Sequence, residues 1–318
     1  MTDTEQPIIK VSHVSKQFNM EAGFFAKKRK SVYAVNDVSF ELKKGRAYGI
    51  VGESGCGKTT TARMIVQMYI QTSGEIFYEK ESVSGFSKRD LRHYREKVKY
   101  IFQDPARSLN PRMTVFEVMT AALRHSSMWK GKKEAWKEAS KIIQEVGLSE
   151  EDLNRRPAEF SGGQRQRISI ARALIMNPDV LICDEVVSAL DVSIQGQIIN
   201  LLLDLRKSRN LSFIFITHDL KVACYFCDEI GVMYRGVLVE EAPAESLYKD
   251  ALHPYTKLLF DGAQGKLSFS NCEVKTTLEK EVCCPFAYRC PNATERCHQE
   301  LPEFREIAGG HKVRCFYL

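Results

Sequence analysis

No apolar run in this 318-residue sequence approaches the ~20 residues that a membrane-spanning helix needs. The N-terminal stretch, MTDTEQPIIK, is acidic and polar and lacks the apolar core of a signal peptide. We therefore expect a cytoplasmic protein whose role at a membrane comes only through a partner.

A strong charge imbalance is also missing, with 46 basic and 40 acidic residues and a net charge of +6. The one dense basic run is AKKRK, residues 26–30. It is typical of a solvated loop, and less so of a contact with lipid headgroups or a membrane partner. Nucleic acid is the least favoured partner, because no basic stripe with interleaved aromatic residues occurs elsewhere.

Ten cysteines in a chain without a signal peptide argue against structural disulfides. Their distribution is uneven, and six of them crowd the C-terminal end: Cys272, Cys283, Cys284, Cys290, Cys297 and Cys315. This change in composition predicts a main body over residues 1–262 and a small cysteine-rich module over residues 263–318.

Strand and helix patterns alternate along the main body. Strand patterns occupy residues 8–14, 32–40, 47–52, 100–102, 180–185 and 212–219, and helical patterns occupy 58–70, 131–146, 163–176 and 193–207. This alternation predicts an α/β fold with a mainly parallel sheet. The stretch 104–160 is mostly helical and predicts a helical lobe. No internal repeat is present, so we expect one such body and not two.

A glycine-rich segment fits the phosphate-binding pattern GxxxxGK[ST] between a predicted strand and a predicted helix. Glycines let successive backbone N–H groups turn towards phosphate oxygens, and the following helix adds its positive N-terminus. We expect Lys58 to reach the β- and γ-phosphates of ATP and Thr59 to bind Mg²⁺. The predicted ATP-binding residues are Gly52, Glu53, Ser54, Gly55, Cys56, Gly57, Lys58, Thr59 and Thr60.

Two carboxylates end the apolar strand pattern VLICDE. We expect Asp184 to hold Mg²⁺ through water and Glu185 to polarise the attacking water as a general base. Acids at a strand end are common, and they gain meaning here only together with the phosphate loop. Together with that loop they complete a metal–phosphate site.

The segment Phe-Ser-Gly-Gly-Gln, residues 160–164, precedes the helical pattern RQRISIARAL. It resembles the signature motif of ABC (ATP-binding cassette) proteins, usually LSGGQ. The resemblance implies a RecA-like core with an antiparallel β subdomain and a helical subdomain at about residues 104–176. It also implies that Ser161, Gly162, Gly163 and Gln164 face the ATP of a second ATPase subunit.

Other family motifs follow in the expected order. Gln103 resembles the glutamine that touches Mg²⁺ and senses the membrane partner, and Asp191 in Ser-Ala-Leu-Asp resembles the D-loop aspartate. His218 resembles the switch histidine that contacts the γ-phosphate. The resemblance thus implies catalytic roles for Gln103, Glu185 and His218, and Mg²⁺ binding by Thr59, Gln103 and Asp184.

Two positions are less regular. The adenine ring needs an aromatic surface, for which Phe18 fits best by position and Tyr33 is the runner-up. Val186 stands where the family usually has proline after the catalytic glutamate. Since both carboxylates remain, we expect no loss of catalysis.

The resemblance narrows to the oligopeptide and dipeptide importers through DPARSLNPRMTV, SALDVSIQ and the tetrapeptide HPYT at residues 253–256. ESGCGK together with FSGGQ resembles the second of their two ATPase subunits. This implies a second homologous ATPase, two transmembrane permease subunits and an extracellular or periplasmic substrate-binding protein, on the cytoplasmic face of the membrane. Import of nickel or another small solute is the alternative, and an ABC ATPase acting on nucleic acid or the ribosome is less favoured.

The C-terminal cysteines have the spacing Cys-x5-Cys-x6-Cys from Cys284, with Cys315 near the end. Four thiolates suit zinc or an iron–sulfur cluster, and unligated thiols are the third alternative. The pattern resembles the C-terminal module of peptide-importer ATPases, which implies a [4Fe–4S] cluster on Cys284, Cys290, Cys297 and Cys315 and leaves Cys283 as a spare thiol. No catalytic motif falls in this module, so we expect it to lie apart from the phosphate chemistry.

Overall fold

The computed structural model describes residues 6–19, 31–188, 190–262 and 283–318. Outside these ranges lie the basic run 26–30, Ala189 and Cys272. The predicted domain boundary after residue 262 coincides with the end of one range. Within these ranges, no helix is both long and apolar enough to cross a membrane. Two units divide the chain: Met1–Gly85 with Phe215–Leu318, and Phe86–Ile214.

The described residues form twelve strands. In chain order they are β1 (Pro7–Asn19), β2 (Ser31–Lys43), β3 (Ala47–Val51), β4 (Ser73–Tyr78), β5 (Glu81–Ser82), β6 (Val98–Ile101), β7 (Val180–Asp184), β8 (Ser212–Thr217), β9 (Glu229–Tyr234), β10 (Val237–Pro243), β11 (Arg305–Ala308) and β12 (His311–Val313).

Eleven α-helices accompany these strands. They are α1 (Lys58–Ile65), α2 (Lys88–Lys97), α3 (Pro105–Ser108), α4 (Val115–Thr120), α5 (Lys132–Glu145), α6 (Gly162–Leu174), α7 (Val192–Arg209), α8 (Leu220–Phe226), α9 (Ala244–Lys249), α10 (Pro254–Gly262) and α11 (Glu295–Gln299).

The first unit contains an antiparallel sheet in the order β2-β1-β4-β5, where Val11 pairs with Phe40 on one side and Ile76 on the other. It also contains the strand series β11-β12-β10-β9-β3. Here β3 and β9 run parallel, with Ile50 opposite Gly231, and every residue of β3 is buried. Because β3 is fully buried, it holds the beginning of the glycine-rich segment, residues 52–57, in a fixed position.

The C-terminal segment, residues 283–318, contributes two strands to that series. β12 pairs antiparallel with β10, with Glu240 opposite Val313 and Glu241 opposite Lys312. The buried carboxylates of β10 support the pairing, because Lys312 Nζ lies 2.6 Å from Glu241 Oε1 and His311 Nε2 lies 2.7 Å from Glu240 Oε1. The predicted division between residues 262 and 263 remains a prediction.

The second unit joins a parallel pair of strands to a group of helices. Val98 of β6 is opposite Val180 of β7, and β7 is buried along its whole length. Helices α5, α6 and α7 bury an aliphatic core in which Ile143, Ile168 and Leu202 are inaccessible to solvent. Strand β8 contains the boundary between the two units.

Candidate functional site

The phosphate loop, residues 52–57, connects β3 to α1 in the first unit. Gly55 and Gly57 have φ values of 80° and 109°, which lie in the region that favours glycine. A Cβ atom at Gly57 would overlap the carbonyl oxygen of Ala34. The loop's tight course therefore depends on the glycines that the sequence pattern contains.

Lys58 begins α1 and has only 4% of its surface exposed. Its ammonium group donates to the carbonyl oxygens of Gly52 and Glu53, at 2.7 and 2.9 Å. No side chain caps the first turn of α1. The positive charge of Lys58 and the positive end of the helix are thus placed at one loop, as an anion site requires.

Glu53 of this loop is held from outside the loop. Its backbone N–H donates to the Tyr255 hydroxyl at 2.9 Å, and its carboxylate forms an ion pair with Arg289 at 2.9 and 3.0 Å. Arg289 lies in the C-terminal segment, so the expectation that this segment is apart from the phosphate loop is wrong. The contact has no signal in the sequence, because 236 positions separate the two residues and no local pattern joins them.

Cys56 is the buried thiol of the phosphate loop. It is 4% exposed, and burial raises the pKa of its thiol. Its sulfur lies 3.9 Å from Lys58 Nζ. The Cys56 side chain is thus enclosed by the loop, and the predicted part of this residue in ATP binding stays a prediction.

The second unit brings together the carboxylates at the end of β7 and Gln103. The Tyr100 hydroxyl donates to Asp184, which is 3% exposed. Gln103 Nε2 donates to Glu185 Oε2 at 2.7 Å. Glu185 has φ of 48°, an unusual conformation for a residue other than glycine, and such strain is concentrated at functional sites. No sequence motif marks Tyr100, which lies on β6.

The signature segment, residues 160–164, leads into α6 in the same unit. The Ser161 hydroxyl accepts from Gln164 N at 3.3 Å, and Gln164 Oε1 accepts from Ser161 N at 3.0 Å, which makes a capping box. A Cβ atom at Gly163 would lie 2.7 Å from Ile194 Cγ2 of α7. Glycine therefore lets α6 begin close against α7.

The remaining predicted site residues are divided between the two units. Asp191 is the N-cap residue of α7, in the second unit. His218 is exposed after β8, in the first unit. Phe18 is 36% exposed on β1 and meets Tyr69 edge to face at 5.5 Å between ring centroids, while Tyr33 lies on the neighbouring strand opposite Gln17.

The predicted magnesium ligands belong to different units, Thr59 to the first and Gln103 and Asp184 to the second. Their joint role therefore remains a prediction, as does the catalytic set that includes His218.

The four cysteines predicted as cluster ligands lie in the C-terminal segment with their sulfurs engaged by backbone N–H groups. Thr294 N donates to Cys297 Sγ at 3.5 Å and Tyr317 N to Cys315 Sγ at 3.4 Å, and the N–H groups of Phe286 and Asn292 bond to Cys284 and Cys290. Burial, with the three other cysteines nearby, raises the pKa of Cys284 to about 12. Within the described ranges, no group of three or more His, Cys, Asp or Glu is arranged to hold a metal ion.

Two family models and several known proteins are similar to this chain. A family model described as ABC transporter matches residues 35–188, and one described as oligopeptide/dipeptide transporter, C-terminal region, matches residues 239–297. The oligopeptide transport ATP-binding protein OppF of Bacillus subtilis (strain 168) is 42% identical over 98% of this chain and 96% of its own length. AppF of the same organism is 40% identical over 98% and 97%.

Solved structures show the same fold. The dimeric structure of MJ0796, a bacterial ABC transporter cassette, matches with a TM-score of 0.65 and 29% identity over 74% of this chain and 98% of that chain. Its post-hydrolysis state bound to ADP and Pi matches with the same score. The predicted fold class is confirmed.

Proposed function

The chain belongs to the ABC transporter family, among the oligopeptide transport ATP-binding proteins, and we propose that residues 52–59, Asp184 and Glu185 carry its ATP hydrolysis. Its function is that of the ATP-hydrolysing motor of a peptide importer. ATP and Mg²⁺ are its cofactors, and membrane permease subunits and a substrate-binding protein are its partners.

The phosphate loop is assigned to the triphosphate of ATP. The supporting observation is the buried Lys58 ammonium group at the start of α1, beside a loop whose glycines turn its backbone sharply. Thr59 follows at once and is assigned to Mg²⁺ with Asp184 and Gln103. Phe18, with its exposed ring on β1, is assigned to the adenine.

The Lys58→Ala variant tests this assignment. Removing the ammonium group deletes a charge-assisted interaction with phosphate, so we expect the dissociation constant for a fluorescent ATP analogue with Mg²⁺ to rise at least about tenfold. Lys80→Ala, an exposed lysine after β4, is the matched control and should bind normally. Unchanged affinity in Lys58→Ala would show that the loop does not bind the nucleotide.

The signature segment is assigned to the nucleotide of a second, homologous ATPase subunit in a heterodimer. Its support is the capping box at Ser161 and Gln164, which fixes the start of α6. The N-terminus of a helix is suited to bind an anion. We further propose that the complex holds this chain at the cytoplasmic face of the membrane, as a peripheral subunit.

A [4Fe–4S] cluster is proposed on Cys284, Cys290, Cys297 and Cys315, with zinc as the alternative. The support is a donor set of four thiols whose sulfurs accept backbone hydrogen bonds, as cluster sulfurs do. When bound, the cluster would cross-link a segment that has few aliphatic residues of its own. Metal analysis of anaerobically purified protein distinguishes the two.

A further inference from the structure

We propose that Arg289 is a positioning residue of the phosphate loop, holding Glu53 from the C-terminal segment and so keeping residues 52–57 in the shape that binds ATP. The inference rests on the proposed role of that loop. The C-terminal segment, residues 283–318, would then have a role in nucleotide binding although it contains none of the ATPase motifs.

The contact between Arg289 and Glu53 is bidentate. Nη1 lies 2.9 Å from Oε2 and Nη2 lies 3.0 Å from Oε1, so the planar guanidinium group meets both carboxylate oxygens. The side chains are 15% and 33% exposed, respectively. Fork-to-fork pairs of this kind fix direction as well as distance, and partial burial reduces the screening that weakens surface pairs.

Arg289 is itself held in place on an aromatic cluster. Its guanidinium carbon lies 5.8 Å from the ring centroids of both Tyr234 and Phe286, and its Nη1 donates to the Tyr234 hydroxyl at 3.4 Å. Phe286 is 1% exposed and packs against Tyr234 and Tyr255 at 5.3 and 5.4 Å between centroids. A guanidinium group that lies against two rings and donates to a hydroxyl has few alternative positions, so it can act as a fixed support.

Residue 53 is restrained through its backbone as well as its side chain. The Tyr255 hydroxyl accepts from Glu53 N at 2.9 Å, and Tyr255 is fully buried. A loop that contains three glycines would otherwise sample many conformations, and ordering it on binding would cost affinity. Three hydrogen bonds from the surrounding structure remove part of that cost before ATP arrives.

The C-terminal segment has the anchorage that this role requires. β12 pairs with β10, and β10 is joined through β9 to β3, the strand from which the phosphate loop leaves. The buried Glu240 strengthens the connection, because it accepts from Leu252 N and His253 N and lies 2.7 Å from His311 Nε2. Loop and support are thus fixed to one set of strands.

A double-mutant cycle on the full-length protein tests the proposal. The variants are Arg289→Ala, Glu53→Ala and the two combined, and the measurement is the dissociation constant for a fluorescent ATP analogue with Mg²⁺. We expect each single variant to weaken binding about five- to thirtyfold and the double variant to be no weaker than the singles, as for residues that act as one unit. Lys249→Ala is the control, since Lys249 forms an exposed ion pair with Glu245 at 2.6 Å, away from the phosphate loop and from the cysteines.

The outcomes separate the two proposals. If Lys58→Ala weakens binding and Arg289→Ala does not, the positioning role is wrong and the ATP site stands. If Lys58→Ala binds normally, the ATP site itself is wrong. Additive losses in the cycle would also overturn the positioning role, because they would show that Arg289 and Glu53 act independently.

Arg289→Lys covers the case in which the alanine variant does not fold. Lysine keeps the charge but cannot form the bidentate contact, so binding should weaken by a smaller factor of about two to five. The melting temperature is measured in parallel. A lowered melting temperature with unchanged nucleotide affinity would reduce Arg289 to a structural residue and overturn the proposal.

Discussion

Gln103 donates a hydrogen bond of 2.7 Å to the carboxylate of Glu185, and the backbone of Glu185 has a left-handed conformation. The glutamine amide thereby orients the carboxylate that follows β7. A carboxylate fixed in this way suits the role of general base, because orientation lowers the entropy lost in the transition state.

Glu185→Gln should therefore retain nucleotide binding and lose turnover. The amide cannot accept the proton of the attacking water, and we expect ATP hydrolysis in the assembled transporter to fall about 10²- to 10⁴-fold. Phosphate release measures the rate, and the fluorescent ATP analogue measures binding. Glu134→Gln, on the exposed face of α5 beside Lys137, is the control and should leave both unchanged. Wild-type turnover in Glu185→Gln would remove the residue from the mechanism.

The phosphate loop could be predicted from sequence because its determinants are adjacent in the chain. Helix α1 was predicted to reach residue 70 but ends at Ile65, since Gln67 has φ of 56° and Met68 N turns back to Arg63 O. Strand β10 was missed because Glu240 and Glu241 break its apolar pattern. Both are buried, and their partners, His311 and Lys312, are 71 positions away.

The residues that support the phosphate loop are also distant from it in sequence. Neither Arg289 nor Tyr255 belongs to a local pattern that points to residue 53. Their roles depend on the pairing of β12 with β10 and on the aromatic cluster around Tyr234. Long-range pairs of this kind carry no signal in the neighbouring sequence.

The buried His253 predicts a loss of stability in acid. Desolvation lowers its pKa from 6.5 to about 4, so the unfolded chain binds the proton more readily than the folded chain. Its neutral form therefore contributes stability above about pH 6.5, and that contribution is lost as the pH falls towards 4, by up to about 1.4 kcal/mol per pH unit.

Urea unfolding of the wild type and of His253→Gln measures this effect. The measurements run from about pH 7 to about pH 4, an interval that spans the pKa of His253 in the unfolded chain, 6.5, and reaches its pKa in the folded chain, about 4. The difference in the free energy of unfolding between the two proteins should shrink on acidification. His93→Gln, at a largely exposed position of α2, is the control and should follow the wild type. A constant difference between His253→Gln and the wild type would contradict the lowered pKa.

The proposed signature role predicts an asymmetric defect. Ser161→Ala should leave the nucleotide affinity of this chain unchanged, because Ser161 is not part of its phosphate loop. In the complex with the second ATPase it should lower turnover, by about tenfold if one hydrogen bond to phosphate is lost. The loss should occur at the ATP site of the second ATPase. Introducing Ser161→Ala together with Glu185→Gln tests this, because Glu185→Gln silences the site of this chain and leaves only the turnover of the other site to be measured. Equal turnover per chain at all dilutions of the isolated subunit would contradict the shared site.

The last prediction concerns the cysteines and asks whether metal binding by them affects the phosphate loop. Cys290 follows Arg289 directly, and its backbone N–H donates to Ala287 O at 3.3 Å. If the four cysteines hold [4Fe–4S], anaerobically purified protein should be brown and contain iron and sulfide in near-equal amounts, whereas zinc would leave it colourless. Cys290→Ser should lose the metal, and Cys283→Ser, at the spare thiol, should keep it.

The nucleotide affinity of Cys290→Ser then shows whether metal binding supports the position of Arg289. We expect its ATP affinity to fall in the same direction as that of Arg289→Ala, and the combined variant to bind no more weakly than Arg289→Ala alone, because both changes act through Glu53. Normal metal content in Cys290→Ser would exclude this cysteine as a ligand. Lost metal with normal ATP affinity would show that the rings of Tyr234 and Phe286 hold the guanidinium group without help from the cluster.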